Sequence, residues 1–169
     1  MRGNLSGVEQ MYSIGDKIVH PMHGAGVVES IVEQKIDGTS RQYYVFKMPV
    51  GGMLVMIPIN NSDEIGVRPV IGFDEADEIM DSLCHIEISM TANWNRRYRE
   101  NMLRIKSGDI AEVAKVVKGL MSREKQRGLS TGERKMLHSA KVILISEIVL
   151  AQSSSFEEIE QRVNSALAG

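Results

Sequence analysis

Residues 27–48, VVESIVEQKIDGTSRQYYVFKM, decide the fold of the N-terminal part of this 169-residue chain. β-Branched and aromatic residues, which favour strands, fill both ends of the stretch. Between them lies Asp37-Gly38, a pair typical of two-residue hairpin turns because both turn positions need positive φ. The stretch therefore predicts an antiparallel β-hairpin.

Further strand-like runs flank this hairpin. A short apolar run lies upstream at 14–20, another follows a glycine turn at 53–59, and a last short strand is expected near 67–70. Five short strands with tight turns and no intervening helix are typical of a small SH3-like or Tudor-like β-barrel. Such a barrel leaves exposed strand edges, with which a strand of another protein can pair.

Helical periodicity begins after Gly72. An acidic helix and a linker are expected first, and then four helices whose limits are marked by capping residues and glycines: 74–83, 84–90, 93–106, 109–127, 130–150 and a last helix after Ser155. The helix at 130–150 is apolar on nearly all sides near its end. We therefore expect it to be the central, buried helix of a bundle.

The predicted fold is α+β with two domains. Residues 11–70 form an N-terminal Tudor/SH3-like β-barrel, residues 71–90 an acidic helix and linker, and residues 91–169 a C-terminal all-α helical bundle. Residues 1–10, MRGNLSGVEQ, lack periodicity and are interpreted as a leader or a cloning remnant.

The composition limits the function classes. Hydrophobic residues make up 43% and charged residues 25% of the chain, as in an ordinary globular protein. Cys84 is the single cysteine, so no intramolecular disulfide can form. No apolar run approaches the roughly 20 residues that span a membrane. We therefore expect a cytoplasmic protein without a membrane partner.

Charge is unevenly distributed along the chain, although the net charge is only −2. Residues 74–89 contain six acidic and no basic residues, whereas residues 90–141 contain 13 Lys and Arg against five Asp and Glu. This concentration of positive charge indicates a polyanionic partner, above all nucleic acid. A solvated helix surface would have a similar composition, so both interpretations stay open here.

No catalytic, metal or cofactor site is predicted. His20 and His23 lie in a turn without thiolates or a carboxylate cluster nearby, whereas a structural zinc site needs four closely spaced ligands. The glycines at 24–26 do not open a helix after a strand, as phosphate-binding loops do. We therefore expect neither an enzyme nor a small-molecule substrate.

The segment 93–99, NWNRRYR, contains the only tryptophan, Trp94, at the start of a predicted helix. Trp94 shares a helical stripe with Tyr98 and Met102, so it can begin the packed face of that helix. Alternatively, the indole projects toward nucleic acid as a wedge that unstacks bases, while arginines neutralise phosphates. A second basic cluster flanks the turn at Gly128: Arg123, Lys125, Arg127, Arg134 and Lys135.

Three motifs resemble the CarD family of bacterial transcription regulators. They are GDKIVHPMHGAG at 15–26, NWNRRYREN at 93–101 and RGLSTGERKML at 127–137. The similarity extends from Met11 to about Leu167, with the motifs in the family's order. The first motif alone would also fit the related module of the transcription-repair coupling factor.

The resemblance implies a barrel that binds the RNA polymerase β subunit by edge-strand pairing. It also implies a bundle that contacts promoter DNA at the upstream edge of the melted region, where Trp94 matches the family's minor-groove wedge. Family basic residues match Arg96, Arg99 and Arg134, and the expected DNA-facing set also includes their neighbours Arg97 and Lys135. The expected polymerase-facing residues are Gln34, Lys35, Ile36 and Met56.

Some family members carry arginines where this chain has Gln34 and Met56, so backbone pairing would have to carry more of the polymerase contact here. The expected function is a non-enzymatic regulator that stabilises the promoter open complex with little base specificity. The alternative is a protein-interaction adaptor with a peptide-binding barrel and a scaffold helical domain, which would not be retained on DNA.

Overall fold

The computed structural model describes residues 11–168, so the interpretation of residues 1–10 as a leader or cloning remnant lies outside the described residues. Five strands form the N-terminal part: β1 (Lys17–His20), β2 (Gly24–Ile36), β3 (Thr39–Lys47), β4 (Leu54–Pro58) and β5 (Arg68–Pro69). A short helix, α1 (Ser62–Ile65), precedes β5.

Five longer helices complete the described chain: α2 (Phe73–Ser82), α3 (Trp94–Lys106), α4 (Ile110–Arg127), α5 (Thr131–Gln152) and α6 (Phe156–Leu167), with a 3-10 turn at Leu83–His85. The last four helices each begin after a polar residue whose side chain accepts a backbone N–H: Asn93, Asp109, Ser130 and Ser155. Because such caps satisfy N–H groups that lack a partner in the first turn, they locate helix starts, and the predicted starts lie within one residue of the observed ones.

The central hairpin forms as predicted. Ile36 pairs with Thr39 across the turn, and Asp37 and Gly38 both have positive φ, at 52° and 77°. Near the other end of the hairpin, the register of β2 against β3 shifts between Val28 and Ser30. Such a bulge increases the local bend and twist of the strand.

The five strands form an antiparallel sheet in the order β4-β3-β2-β1-β5. Among the described strands, β4 and β5 do not pair with each other, so the sheet is open and the closed barrel is not confirmed. The physical reason is the length of β5, which has two residues and already pairs with Ile18 and Val19 of β1. The predicted α+β architecture, a sheet followed by helices, is confirmed.

Each part has its own apolar core. The sheet core contains Ile18, Val28, Tyr44, Phe46 and Ile57. The helical core surrounds α5, which buries Leu144, Ile145 and Ile148 completely and is the central helix, as predicted. Of the helices in the described range, none combines the length and hydropathy of a membrane span.

Candidate functional site

Trp94 is the first residue of α3 and lies at the surface of the bundle. Asn93 caps the helix by accepting the N–H of Arg96 at 3.0 Å. The indole is 42% exposed and stacks on Tyr98, with ring centroids 5.1 Å apart and planes 20° from parallel. Trp94 is therefore not a core residue, although one face of its ring is covered.

The first turn of α5 fixes the other side of the indole. Trp94 Nε1 donates a hydrogen bond to Ser130 Oγ at 3.0 Å, and the same oxygen accepts the N–H of Glu133 at 3.2 Å. A Cβ atom at Gly132 would lie 3.7 Å from Trp94 Cζ2, in ordinary contact. The indole is thus held between the starts of two helices, with part of its surface free.

Arg97 corrects the predicted DNA-facing set. Its side chain is 2% exposed and forms a bidentate ion pair with Glu133, at 2.8 Å from Nε and 3.0 Å from Nη2. Nη1 donates to the carbonyls of Thr91 and Ala92. This hydrogen-bonded pair lowers the pKa of the Glu133 carboxyl. A guanidinium so enclosed cannot reach phosphate, so Arg97 joins α3 to α5 instead.

The other predicted DNA-facing residues are exposed. Arg96 and Arg99 lie on α3, and Arg96 pairs with Glu100 at 3.1 Å in a solvent-accessible position. Arg134 donates from Nε and Nη2 to the carbonyl of Leu129, next to the start of α5. Lys135 is exposed as well and borders a groove of about 200 Å³ together with Tyr98. The structure therefore places four exposed cationic side chains in the first two turns of the helices, α3 and α5, that hold Trp94.

Three residues of this site were not in the predicted set. Tyr98 follows Trp94 by one helical turn, so the stacking of the two rings could have been predicted from their spacing. Ser130 and Glu133 form a recognisable capping box, but their contacts with α3 span 36 residues and leave no local signal. The burial of Arg97 is indicated only by its i, i+4, i+8 relation to the other buried residues of α3, Asn101 and Ile105.

The predicted polymerase-facing residues lie on the sheet, away from Trp94 in sequence. The side-chain amide of Gln34 lies 4.0 Å from the sulfur of Met56, so these two residues of β2 and β4 meet across the sheet. Ile36 is exposed and shares their face by strand alternation, whereas Lys35 points to the opposite face. Three of the four residues therefore share one exposed surface.

The outer edge of β4 is uncovered within residues 11–168. Met48 donates its N–H to the carbonyl of Met53, and Ile59 donates its own to Gln42. Since hydrogen-bonded pairs alternate along an antiparallel ladder, the intervening residues Leu54 and Met56 direct their backbone N–H and C=O groups away from β3. Their side chains are 56% and 41% exposed. We call the outward-facing side of β4, with the exposed side chains of Leu54 and Met56, the apolar edge.

The histidines form no metal site with other described residues. No group of three or more His, Cys, Asp or Glu side chains in residues 11–168 is arranged to hold a metal ion. His20 and His23 have ring centroids 4.5 Å apart, and His20 Nδ1 accepts the N–H of Met22 at 3.1 Å. Burial, together with the neighbouring imidazole, lowers the pKa of His20 to about 4. His20, the last residue of β1, is therefore neutral at pH 7.

Comparisons with known proteins cover almost all of the described chain. Residues 12–71 match the family model described as the CarD-like/TRCF RID domain, and residues 78–164 match the model described as CarD, C-terminal domain. A protein of Bacillus subtilis (strain 168), described as "Putative transcription factor YdeB", is 39% identical over 150 residues. That similarity covers 89% of this chain and 98% of the relative.

Proposed function

This chain belongs to the CarD family of transcription factors, and from that premise we propose that it binds the RNA polymerase β subunit and stabilises the promoter open complex with Trp94. Transcription regulation is the role that the family and the relative support. The proposal adds two surfaces, the apolar edge of the sheet for polymerase and the starts of α3 and α5 for promoter DNA.

The observation that carries the DNA part of the proposal is the held but half-exposed indole. Tyr98 and Ser130 restrict the ring, so little side-chain entropy is lost when it enters a groove. Apolar wedges in the minor groove work by unstacking a base step and occupying the gap. Exposed cations in the first two turns of α3 and α5, the helices that hold Trp94, would supply the contacts to phosphate that this insertion needs: Arg96, Arg99, Arg134 and Lys135.

The apolar edge supports the protein part of the proposal. Proteins usually protect edge strands with charges, prolines, bulges or a covering element, and in β4 Pro58 removes one outward N–H at the end of the strand. The sequence of β4, LVMIP, contains no charge. Within residues 11–168, no strand pairs with the outward backbone N–H and C=O groups of Leu54 and Met56. An added strand from the polymerase β subunit would satisfy these groups and cover the exposed side chains.

The two surfaces reinforce each other in this mechanism. Once the apolar edge is bound to polymerase, the bundle acts on promoter DNA at a high effective concentration and needs little affinity of its own. Trp94 favours open over closed DNA because the gap it fills exists only when stacking at the upstream edge is broken. Only such differential affinity shifts the open–closed equilibrium. Little base specificity is expected, since backbone and shape supply the contacts.

The decisive experiment is Trp94→Ala in an open-complex decay assay with polymerase. We expect open-complex lifetime to shorten about tenfold, which corresponds to roughly 1.4 kcal/mol of lost differential binding. Capture of a polymerase β fragment should be unchanged. Phe73→Ala is the matched control, because Phe73 is an exposed aromatic at the start of another helix, α2.

An unchanged lifetime for Trp94→Ala would contradict the wedge. Failure of the wild-type chain to bind forked promoter DNA at any salt concentration would favour the adaptor alternative, in which the sheet binds a peptide and the helices are a scaffold.

A further inference from the structure

The sheet and the bundle meet at an interdomain joint that combines buried polar contacts with the packing of Val142 of α5 against the sheet core. On the sheet side it includes Gly24, Ala25 and Arg68, and on the bundle side Ser146 and Glu147 in the C-terminal third of α5. Glu147 and Ser146 are 1% and 0% exposed, and apolar residues precede and follow them along the helix. Two adjacent buried polar residues in a core helix require partners, and both have them in the sheet.

Glu147 receives three hydrogen bonds from the sheet end of the chain. Arg68 donates to both carboxylate oxygens, from Nη1 at 2.6 Å and from Nη2 at 2.7 Å. The backbone N–H of Ile71 donates to Oε2 at 3.0 Å. The bidentate arrangement has one favourable geometry, so it fixes direction as well as distance. Arg68 is itself oriented by donating from Nε to the carbonyl of Gly108 at 2.8 Å.

Ser146 fixes a second point of the joint. Its hydroxyl oxygen accepts the backbone N–H of Ala25 at 2.9 Å. The approach is close because Gly24 has no side chain: a Cβ there would lie 2.6 Å from Ser146 Oγ and 3.2 Å from Ile143 Cα. Two points of contact on different strands, β2 and β5, restrict the angle of α5 on the sheet, and Lys17 of β1 adds a third by donating to the carbonyl of Leu150 at 3.0 Å.

The same helix holds Trp94 at its other end. Ser130 and Glu133, at the start of α5, bind Trp94 and Arg97 of α3. Glu147 follows Ser130 by 17 residues, so the joint and the indole site are about 25 Å apart along the helix. A tilt of about 10° at the joint would move the indole site by about 4 Å, more than the 3.4 Å rise of one base step. A small change in the angle at the joint is therefore enough to move Trp94 by more than one base step along the DNA.

We propose that Glu147, with Arg68 and Ser146, is a positioning residue that fixes the angle between the sheet and α5 and thereby sets where Trp94 lies relative to the apolar edge. The functional part of this inference rests on the proposed function, because register matters only if polymerase and DNA are bound together. The geometric part does not, since the angle is a property of the free protein.

The geometric test is a distance measurement on the free protein. Spin labels are attached to cysteines introduced by Arg41→Cys in β3 and Arg127→Cys in α4, in a Cys84→Ser background. Both arginines are exposed. We expect one narrow distance distribution for the wild-type joint, and a broader one or a shift of at least 3 Å for Glu147→Gln. Glu112→Gln is the control for loss of an ion pair outside the joint, since Glu112 pairs with Arg104 at the same 2.6 Å distance although it is more exposed than Glu147.

The functional test compares three readouts of Glu147→Gln. Affinity for forked DNA and for a polymerase β fragment should stay within twofold of wild type, while open-complex lifetime falls at least threefold. A merely structural role would lower all three together, and that result would overturn the inference, as would an unchanged distance distribution. If wild-type protein does not prolong the lifetime, the proposed function fails, and the distance measurement still decides whether Glu147 sets the angle.

A steric pair of variants tests the joint without changing charge. Gly24→Ala introduces a Cβ into the contact with Ser146, whereas Gly15→Ala places one where no heavy atom of the described residues lies within 4 Å. Both glycines have positive φ, at 109° and 95°, so backbone strain is similar in the two variants. We expect the change in distance distribution for Gly24→Ala alone, and equal distributions would overturn the inference.

Discussion

At the scale of single residues, neighbouring arginines of one motif have different roles. Arg96 and Arg97 are adjacent in the sequence, yet Arg96 is exposed and Arg97 is enclosed against Glu133. Successive helical residues point about 100° apart, so only Arg97 faces α5. A count of basic residues therefore overstates the charge available to DNA, and the sequence alone did not separate the two because the carboxylate partner is 36 residues away.

The buried pair makes a stability prediction. Arg97→Met or Glu133→Gln leaves one charged or polar group without its partner, and each should lower the free energy of unfolding by about 3–5 kcal/mol. The double variant Arg97→Met/Glu133→Leu should recover most of this loss, because no unpaired charge remains. Chemical denaturation measures all three.

The exposed pair on the same helix is the control. Arg96→Met, which breaks the pair with Glu100, should change the free energy of unfolding by less than about 1 kcal/mol. If the double variant Arg97→Met/Glu133→Leu is as unstable as the single variants, the buried ion pair stabilises the fold by more than the mutual neutralisation of its two charges.

His20 gives a pH prediction. Its folded-state pKa of about 4 lies below the ordinary value of 6.5, so the unfolded chain binds more protons between these values. Stability contributed by neutral His20 is present above pH 6.5 and is lost as the pH falls toward 4. His20→Asn, which keeps an acceptor for Met22, should reduce the stability difference between pH 7 and pH 5 by about 1 kcal/mol, a value discounted for partial exposure. The exposed His138→Asn is the control, and equal pH profiles for His20→Asn and wild type would contradict the assignment.

At the scale of helices and strands, the features that could be predicted are those set by contacts between residues close together in the sequence. The starts of α5 and α6 could be predicted from the capping boxes at Ser130 and Ser155, whose contacts act within three residues. The Asp37-Gly38 hairpin was recognised for the same reason. Closure of the sheet was not predictable, because it depends on whether strands far apart in sequence meet. The Ser146–Ala25 and Glu147–Arg68 contacts across the joint were equally invisible, since each spans more than 75 residues.

The apolar edge makes a prediction about backbone pairing. Met56→Pro removes an N–H that points away from β3, so the sheet should be retained while one hydrogen bond to the partner strand is lost. We expect affinity for a polymerase β fragment to fall about tenfold, as for roughly 1–1.5 kcal/mol. Met56→Arg keeps the N–H and should bind at least as well as wild type. A Met56→Pro variant with unchanged affinity would place the polymerase contact elsewhere.

At the scale of the whole molecule, positive and negative charges are concentrated in different segments, although the net charge is small. A chain with a net charge of −2 carries 13 of its 20 Lys and Arg residues between 90 and 141, and six acids without a base between 74 and 89. The acidic segment forms most of α2, whereas the cations around Trp94 belong to α3 and α5. DNA binding should therefore depend strongly on salt although the protein as a whole is weakly acidic.

The salt dependence identifies individual phosphate contacts. Arg96→Ala should reduce the slope of log affinity against log salt concentration by about one unit in magnitude. Arg162→Ala removes an exposed arginine of α6, outside the proposed surface, and should leave the slope unchanged. The readout is fluorescence anisotropy with forked DNA over a salt series. Identical slopes for Arg96→Ala and wild type would show that Arg96 does not touch phosphate.

The uncharged strand β4 has a consequence for how much of this protein a cell can use. Its outward backbone groups are also complementary to those of a second copy, so in the proposed mechanism self-association would compete with polymerase for the same strand. In that mechanism, polymerase binding is favoured when the concentration of free copies is low. An excess of the regulator would then titrate itself, and its effect on transcription should level off or decline as its abundance rises.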